Sequence, residues 1–418
     1  MSTTAEDLQL RKQEALRLAS EYVCPGKVDT FTGMGIDLVI DKREGPYLYT
    51  VDGRELIDCH INGGTFNLGH RNPDIVAMLH DAIETLDIGN HHFASEARNT
   101  CAQTLARLTP GDLHYTVFGS GGGEAIDVAI KTARYATKRK QIVGIEGGYH
   151  GRTGLSGTIG DDAAAKFFLS DAREGESRNV PFNDIDAMEA VLSESTTAAV
   201  LMETIPATLG FPMPDEGYLP AVKKLCEKHG ALYIADEVQT GLGRTGTLWA
   251  IDGYGVEPDI LVTAKGLSGG MYPIAATVIA KQHGGWLTEN GFAHVSTFGG
   301  AEVGCVVANK ALEICSDPGV LKNVCAMSDC FGKAFDDLMT EYPDKFLEVR
   351  RNGLIMGLKF AGDVGAVMMS KALYDNGIWA MFSGFDLSVL QFKPYLLIDK
   401  VIADETIKRF ESALKGMS

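Results

Sequence analysis

Two stretches decide the fold of this chain: ALYIADEVQTGLGRTGTLWA at 231–250 and DILVTAKGLSGGMYPIAA at 259–276. Each opens on an apolar run of strand length and then breaks into glycine-rich sequence bearing charged residues. Uniformly apolar strands belong to a parallel sheet covered on both faces. In the first stretch, Asp236 and Glu237 end the strand. An unpaired carboxylate is costly to bury there, so Asp236 is expected to face a cation; capping the next turn is the plainer alternative. In the second, Lys265 ends the strand before a glycine cluster. Lysines with lowered pKa act as Schiff-base nucleophiles, whereas a lone lysine is ordinarily a surface residue. The apolar setting of Lys265 brings those two readings level.

Further runs extend the pattern outward: YTVF at 115–118, IVGI at 142–145, AAVLME at 198–203 and IAATVIA at 274–280, with helical stretches between them. This alternation predicts an α/β domain at 61–310. Before it, Leu8 to Tyr22 reads as an amphipathic helix, and short alternating runs around Leu38–Asp58, turning at Asp52-Gly53, suggest a small meander. After it come a long helical region near 301–340, a strand LIMGLKF at 354–360 and a final helix ADETIKRFESALKG. Segment 1–60 and segment 311–418 are expected to combine into a small α+β domain.

Ligands of open α/β sheets sit at the carboxyl ends of the strands. Two more loops fall there. Gly119-Ser120-Gly121-Gly122-Gly123-Glu124 precedes a helix, and its backbone N–H groups suit an anion, most often phosphate. Alone it reads equally well as a tight turn, since it is neither a Walker A loop nor a clean GxGxxG. Gly147-Gly148-Tyr149-His150-Gly151-Arg152 offers an aromatic that can stack on a flat ring and an arginine that can pair with a carboxylate. His150 reads as a hydrogen-bonding structural residue, because no metal-ligand spacing surrounds it. Together, a phosphate cradle, a stacking aromatic, a strand-end Asp and a strand-end Lys are what pyridoxal phosphate requires.

Composition narrows the class. The 418 residues carry 38 basic and 55 acidic side chains, a formal charge of -17, which argues against nucleic acid as a main partner. Apolar residues at 45% and charged ones at 22% are ordinary for a globular protein. Glycine is in excess, at 48 residues, and follows no collagen period. The eight cysteines form no CxxC pair and no zinc spacing, so no metal is expected. Free thiols, a polar N-terminus without an apolar h-region and the lack of any 18-residue apolar stretch point to a cytoplasmic protein with no membrane partner.

From about Gly45 to the C-terminal helix, the sequence resembles the class III (ω-amino acid) aminotransferases, fold-type I pyridoxal-phosphate enzymes. The two opening stretches, YHGRT at 149–153, NLGH at 67–70 and STFGG at 296–300 carry the resemblance. It implies a large domain whose mostly parallel, seven-stranded sheet lies between helices, a small α+β domain built from both chain ends, and a homodimer with active sites at the interface. It also implies roles. Lys265 would be the Schiff-base lysine and proton shuttle, Asp236 the partner of the ring nitrogen, and Gln239 a contact to the ring's 3-hydroxyl. Val238 would pack on the ring face opposite Tyr149. Gly121, Gly122 and Gly123 would cradle the phosphate, and Thr297 would reach the phosphate of the other subunit. Glu203 matches the acidic residue of the family's EPxQ element.

Departures from the pattern bear on the substrate. EPxQ appears as Glu203-Thr204-Ile205-Pro206, without its Gln, and Gly121 and Gly123 stand where hydroxyl residues are common. The Arg that many members use to grip a substrate α-carboxylate aligns with Gln391, with Lys393 as a possible substitute charge. Arg152 matches the Arg that binds a distal carboxylate in ornithine- and γ-aminobutyrate-type enzymes. The implied activity is transfer of an amino group from an amine or ω-amino donor to pyruvate or 2-oxoglutarate, through a Lys265 Schiff base and pyridoxamine phosphate. An aminomutase or a decarboxylase is the alternative on this scaffold. Donor choice is expected to rest on the N-terminal segment, His91-His92-Phe93 and the partner subunit.

Overall fold

The computed structural model describes residues 4–89 and 92–417. Its centre is a seven-stranded sheet of Leu113–Gly119 (β1), Gln141–Ile145 (β2), Ser177–Val180 (β3), Thr197–Glu203 (β4), Leu232–Asp236 (β5), Ile260–Thr263 (β6) and Ala275–Ala280 (β7). The order across the sheet is β1-β7-β6-β5-β4-β2-β3. The β2–β3, β2–β4, β4–β5 and β5–β6 pairs are parallel, and β7 runs antiparallel to both β1 and β6. Every residue of β2, β4, β5, β6 and β7 is buried, which is why these strands read as continuous apolar runs. Sequence Ser177–Val180 carries no such run; this short edge strand forms by pairing with β2.

Around the sheet the sequence reading holds with adjusted bounds. The N-terminal helix starts at Ala5, because Thr4 and Asp7 form a reciprocal capping box. The meander consists of Ile40–Glu44, Tyr47–Thr50 and Glu55–Asp58, and Gly53 takes the left-handed conformation at its turn. The region 301–340 is two helices, Glu302–Cys315 and Pro318–Glu341. Proline fits the first turn of the second but cannot continue the first, and Asp317 caps the break. The strand Phe346–Asn352 pairs with Ile355–Phe360, which pairs with Val389–Phe392. Phe335, Phe346, Phe360, Phe392 and Phe410 pack into one aromatic cluster over this sheet. Ile378–Trp379 pairs in parallel with Glu55–Asp58, so the two ends of the chain share a sheet. No helix among the described residues is long and apolar enough to cross a membrane.

Candidate active site

The carboxyl ends of β1, β2, β4, β5 and β6 open into a cavity of about 310 Å³. Gly121, Gly122, Gly123, Tyr149, Glu203, Asp236, Val238, Gln239 and Lys265 all line it. Parallel strands place loops from distant parts of the sequence side by side at one sheet edge.

At one wall the helix Gly122–Thr137 begins. Its N-cap is Gly121, which offers no side-chain cap, so the first-turn N–H groups face the cavity uncapped. Ser120 keeps the loop in shape by donating its N–H (2.7 Å) and hydroxyl (2.8 Å) to Glu124. The cradle is tight where Gly151 backs it: a Cβ on Gly151, which has φ +114°, would lie 2.7 Å from the Cα of Gly123, whereas Gly121 has open space beside it. This wall fits a phosphate.

On the floor, the carboxylates of Asp236, which ends β5, and Glu237, which follows it, point opposite ways. Asp236 faces the cavity, where its Oδ2 accepts from His150 Nδ1 at 2.7 Å and its Oδ1 accepts from the Val238 N–H at 3.0 Å. Glu237 turns the other way and accepts from the Thr204 and Thr240 hydroxyls and the Ala250 and Ile251 N–H groups. It ties the loop 237–251 together and takes no place in the cavity wall. Glu203 accepts from the Tyr149 N–H (3.0 Å) and the Ala207 N–H (3.1 Å). Burial raises its pKa, and the Asp236 charge adds to the rise while His150 opposes it. His150 is thus a site residue, packed wholly out of solvent against Asp236. Sequence reading placed His150 as a hydrogen-bonding residue, and spacing alone does not say which carboxylate it meets.

Lys265 stands at the end of β6 with φ +43°, a left-handed value rare for a side chain with a Cβ. Burial lowers its pKa, against the pull of Asp236 and Glu203, so its amine is more available as free base than an exposed lysine's. Opposite it lies a turn that the sequence reading missed, Ile61–Gly64, whose four residues all have positive φ. Asp58 holds it by accepting from the His60 and Ile61 N–H groups. A Cβ on Gly63 would sit 3.4 Å from Lys265 Cε, so glycine there leaves room for the lysine to reach the cavity. Strain concentrated on both sides of one amine is characteristic of functional sites. The run Asn62-Gly63-Gly64 was the available signal, since these residues tolerate left-handed conformations.

The expected substrate contacts behave differently. Arg152 lies outside the cavity wall, paired with Asp161 at 2.5 Å and stacked over the Tyr149 ring at 4.9 Å. Gln391 and Lys393 do not line the cavity either. Gln391 donates to the Ala207 carbonyl, and Lys393, fully buried, donates to the side-chain carbonyls of Gln391 (2.6 Å) and Gln239 (2.8 Å). Lys393 therefore does not offer its charge as a replacement for the missing arginine; its donors are spent inside the fold. Thr297 is exposed and does not line the cavity. His91 lies outside the described residues; the ring of His92 meets Phe292 at 5.6 Å, and Phe93 is exposed. Among the described residues no group of His, Cys, Asp and Glu side chains could hold a metal ion.

An uncapped helix start, a fixed buried carboxylate and a buried amine around one cavity fit pyridoxal phosphate. Comparisons with known proteins agree. The family model for aminotransferase class-III matches residues 32–414. An uncharacterized aminotransferase of Archaeoglobus fulgidus is 47% identical over 97% of this chain and 94% of its own length. A putrescine aminotransferase of Pectobacterium atrosepticum is 32% identical, covering 99% of this chain and 91% of its own. The structure of the Toxoplasma gondii ornithine aminotransferase, with partial occupancy of PLP at its active site, superimposes with a TM-score of 0.87 at 25% identity, covering 99% of this chain and 95% of that one.

Proposed function

Since this chain belongs to the class-III aminotransferase family, we propose that it takes the amino group from a terminal amine or diamine that has no carboxylate beside the reacting carbon. The activity itself is pyridoxal-phosphate-dependent amino transfer. Bound pyridoxal phosphate supplies an aldehyde that can take up the amino group and a ring that can accept electrons.

The chain's residues have distinct tasks in this reading. Lys265 would supply the amine that anchors the cofactor; once the donor amine displaces it, its freed Nζ would be the base that carries the proton away from the donor carbon. Asp236, fixed by His150 and Val238, would supply the anion that partners the ring nitrogen. Gly121, Gly122 and Gly123 hold the phosphate through their N–H groups. Tyr149 and Val238 would hold the ring between them, Gln239 would meet its 3-oxygen, and Glu203 pins the Tyr149 loop. Removal from bulk water strengthens each of these electrostatic contacts.

One observation carries the donor class. Among the described residues that line the cavity, the sole cation-forming lysine or arginine is Lys265. Arg152 is engaged by Asp161, and Lys393 by Gln239 and Gln391. An α-carboxylate needs a partner in a buried site and would have to break the Arg152–Asp161 pair, whereas a donor amine without one leaves that pair intact. The relative named putrescine aminotransferase supports the same class. The acceptor is proposed to be pyruvate or 2-oxoglutarate, with Arg152 as the group that meets a keto-acid carboxylate once Asp161 releases it.

A homodimer is part of the proposal. Phe292, Val295 and Phe298 are exposed around Thr297, and an apolar face of this kind is suited to a second copy, whose phosphate Thr297 would reach. The division into 1–60, 61–310 and 311–418 and a cytoplasmic setting complete it. The test is a donor screen with both acceptors. Putrescine or cadaverine should exceed ornithine, alanine and glutamate in kcat/KM. An α-amino acid as the best donor would overturn the donor class.

A further inference from the structure

Lys393 ends the strand Val389–Phe392, and its backbone N–H donates to the Cys59 carbonyl. Its side chain is fully buried and caged by three groups: Gln391 Oε1 at 2.6 Å, Gln239 Oε1 at 2.8 Å and the face of Phe211, whose ring centroid is 5.0 Å away. Protonated, the lysine has donors and no acceptor, and even the free amine must use its N–H bonds to meet two carbonyl oxygens. Both glutamine oxygens are therefore turned toward Nζ. Gln391 closes its end by donating Nε2 to the Ala207 carbonyl at 3.2 Å. Gln239 has the same polarity imposed on it, which leaves its amide NH₂ as the group available to the cavity that the residue lines.

We propose that Lys393 is a positioning residue that locks Gln239 as a hydrogen-bond donor toward the cofactor's 3-oxygen. Without it the Gln239 amide is free to rotate and present either its oxygen or its nitrogen. A donor at that point favours the anionic oxygen, and an acceptor disfavours it. The other ionisable groups facing Lys393 are Lys265, Arg244, Asp58, Glu203 and His60, so the lysine also sits within the field of the reacting amine. The place where relatives are expected to grip a carboxylate is thus occupied here by an internal hydrogen-bonded chain, Ala207–Gln391–Lys393–Gln239.

This inference rests on Gln239 meeting the ring oxygen, and its test separates the two ideas. The probe is the visible absorbance of the pyridoxal-phosphate-loaded protein, titrated with pH without substrate. Wild type must first show a band that titrates; no band would remove the cofactor reading itself. Lys393→Met, checked for folding by circular dichroism, should raise the midpoint by about one pH unit, because an unsupported 3-oxygen holds its proton more tightly. In a Gln239→Leu background the Lys393→Met change should move the midpoint no further. Should the Met variant not fold, Lys393→Leu, which equally lacks a donor for the Gln239 oxygen, gives the same reading. A folded Lys393 variant with the wild-type midpoint, or an undiminished shift in the Gln239→Leu background, overturns the proposal.

Discussion

Replacing His150 by phenylalanine removes one contact and little volume. In the folded chain His150 Nδ1 lies 2.7 Å from Asp236 Oδ2, and both side chains are shielded from solvent. Asp236 would retain only the Val238 N–H, at 3.0 Å. A hydrogen bond to a charged group contributes about 1.5–3 kcal/mol, and the carboxylate left behind has no water to replace it. His150 also moderates the repulsion between Asp236 and Glu203, which becomes uncompensated. The loss corresponds to roughly 10- to 150-fold. It should be seen in kcat/KM and in cofactor affinity together, because both depend on where Asp236 holds its charge. The assay is steady-state turnover with the best donor, alongside a fluorescence titration of the apo-protein with pyridoxal phosphate. His150→Asn, whose amide can restore a donor near Nδ1, should recover part of both. If a folded His150→Phe protein keeps both constants within about twofold of wild type, the reasoning from this contact is wrong.

Lys265→Met should abolish turnover, since nucleophile and base are lost together; residual activity above about 1% in a substrate-saturated assay would refute the role. The same variant tests the lysine's environment. Its folded pKa lies below the ordinary 10.5, so its contribution to stability is complete above that value and is lost as pH falls. Apo wild type should gain stability relative to apo Lys265→Met as pH rises toward 10.5 in urea unfolding; an unchanged or reversed difference would contradict it. Gly151→Ala places a Cβ 2.7 Å from Gly123 Cα at φ +114° and should weaken cofactor binding by about tenfold or more, measured by equilibrium titration. Asp161→Asn frees Arg152 from its 2.5 Å partner and should lower KM for the keto-acid acceptor while leaving KM for the amine donor alone; equal changes in both would show that Arg152 does not meet the acceptor.

The catalytic end of the sheet was legible because its strands are apolar throughout and their chemistry sits at the first polar residue after each run. Asp236, Lys265 and the glycines at 119–123 were placed in this way. Ser177–Val180 escaped, since an edge strand needs no apolar face of its own. The turn Ile61–Gly64 also escaped, because hydrophobic periodicity does not register backbone handedness.

By itself the sequence determined the buried strands of the sheet and pointed to the cofactor class, since both follow from residue types in local order, while the family of reactions came with the resemblance. Tertiary structure decided what the polar residues face. Asp236 and Glu237 are neighbours of like chemistry, and only strand alternation sends one to the cavity and the other to the Ala250–Ile251 loop. His150 lies 86 positions from Asp236 and Lys393 lies 154 from Gln239, yet each pair is in hydrogen-bond contact. Such contacts are set by how loops from separate strands converge, and the free energy of a buried charge depends on that convergence rather than on spacing along the chain.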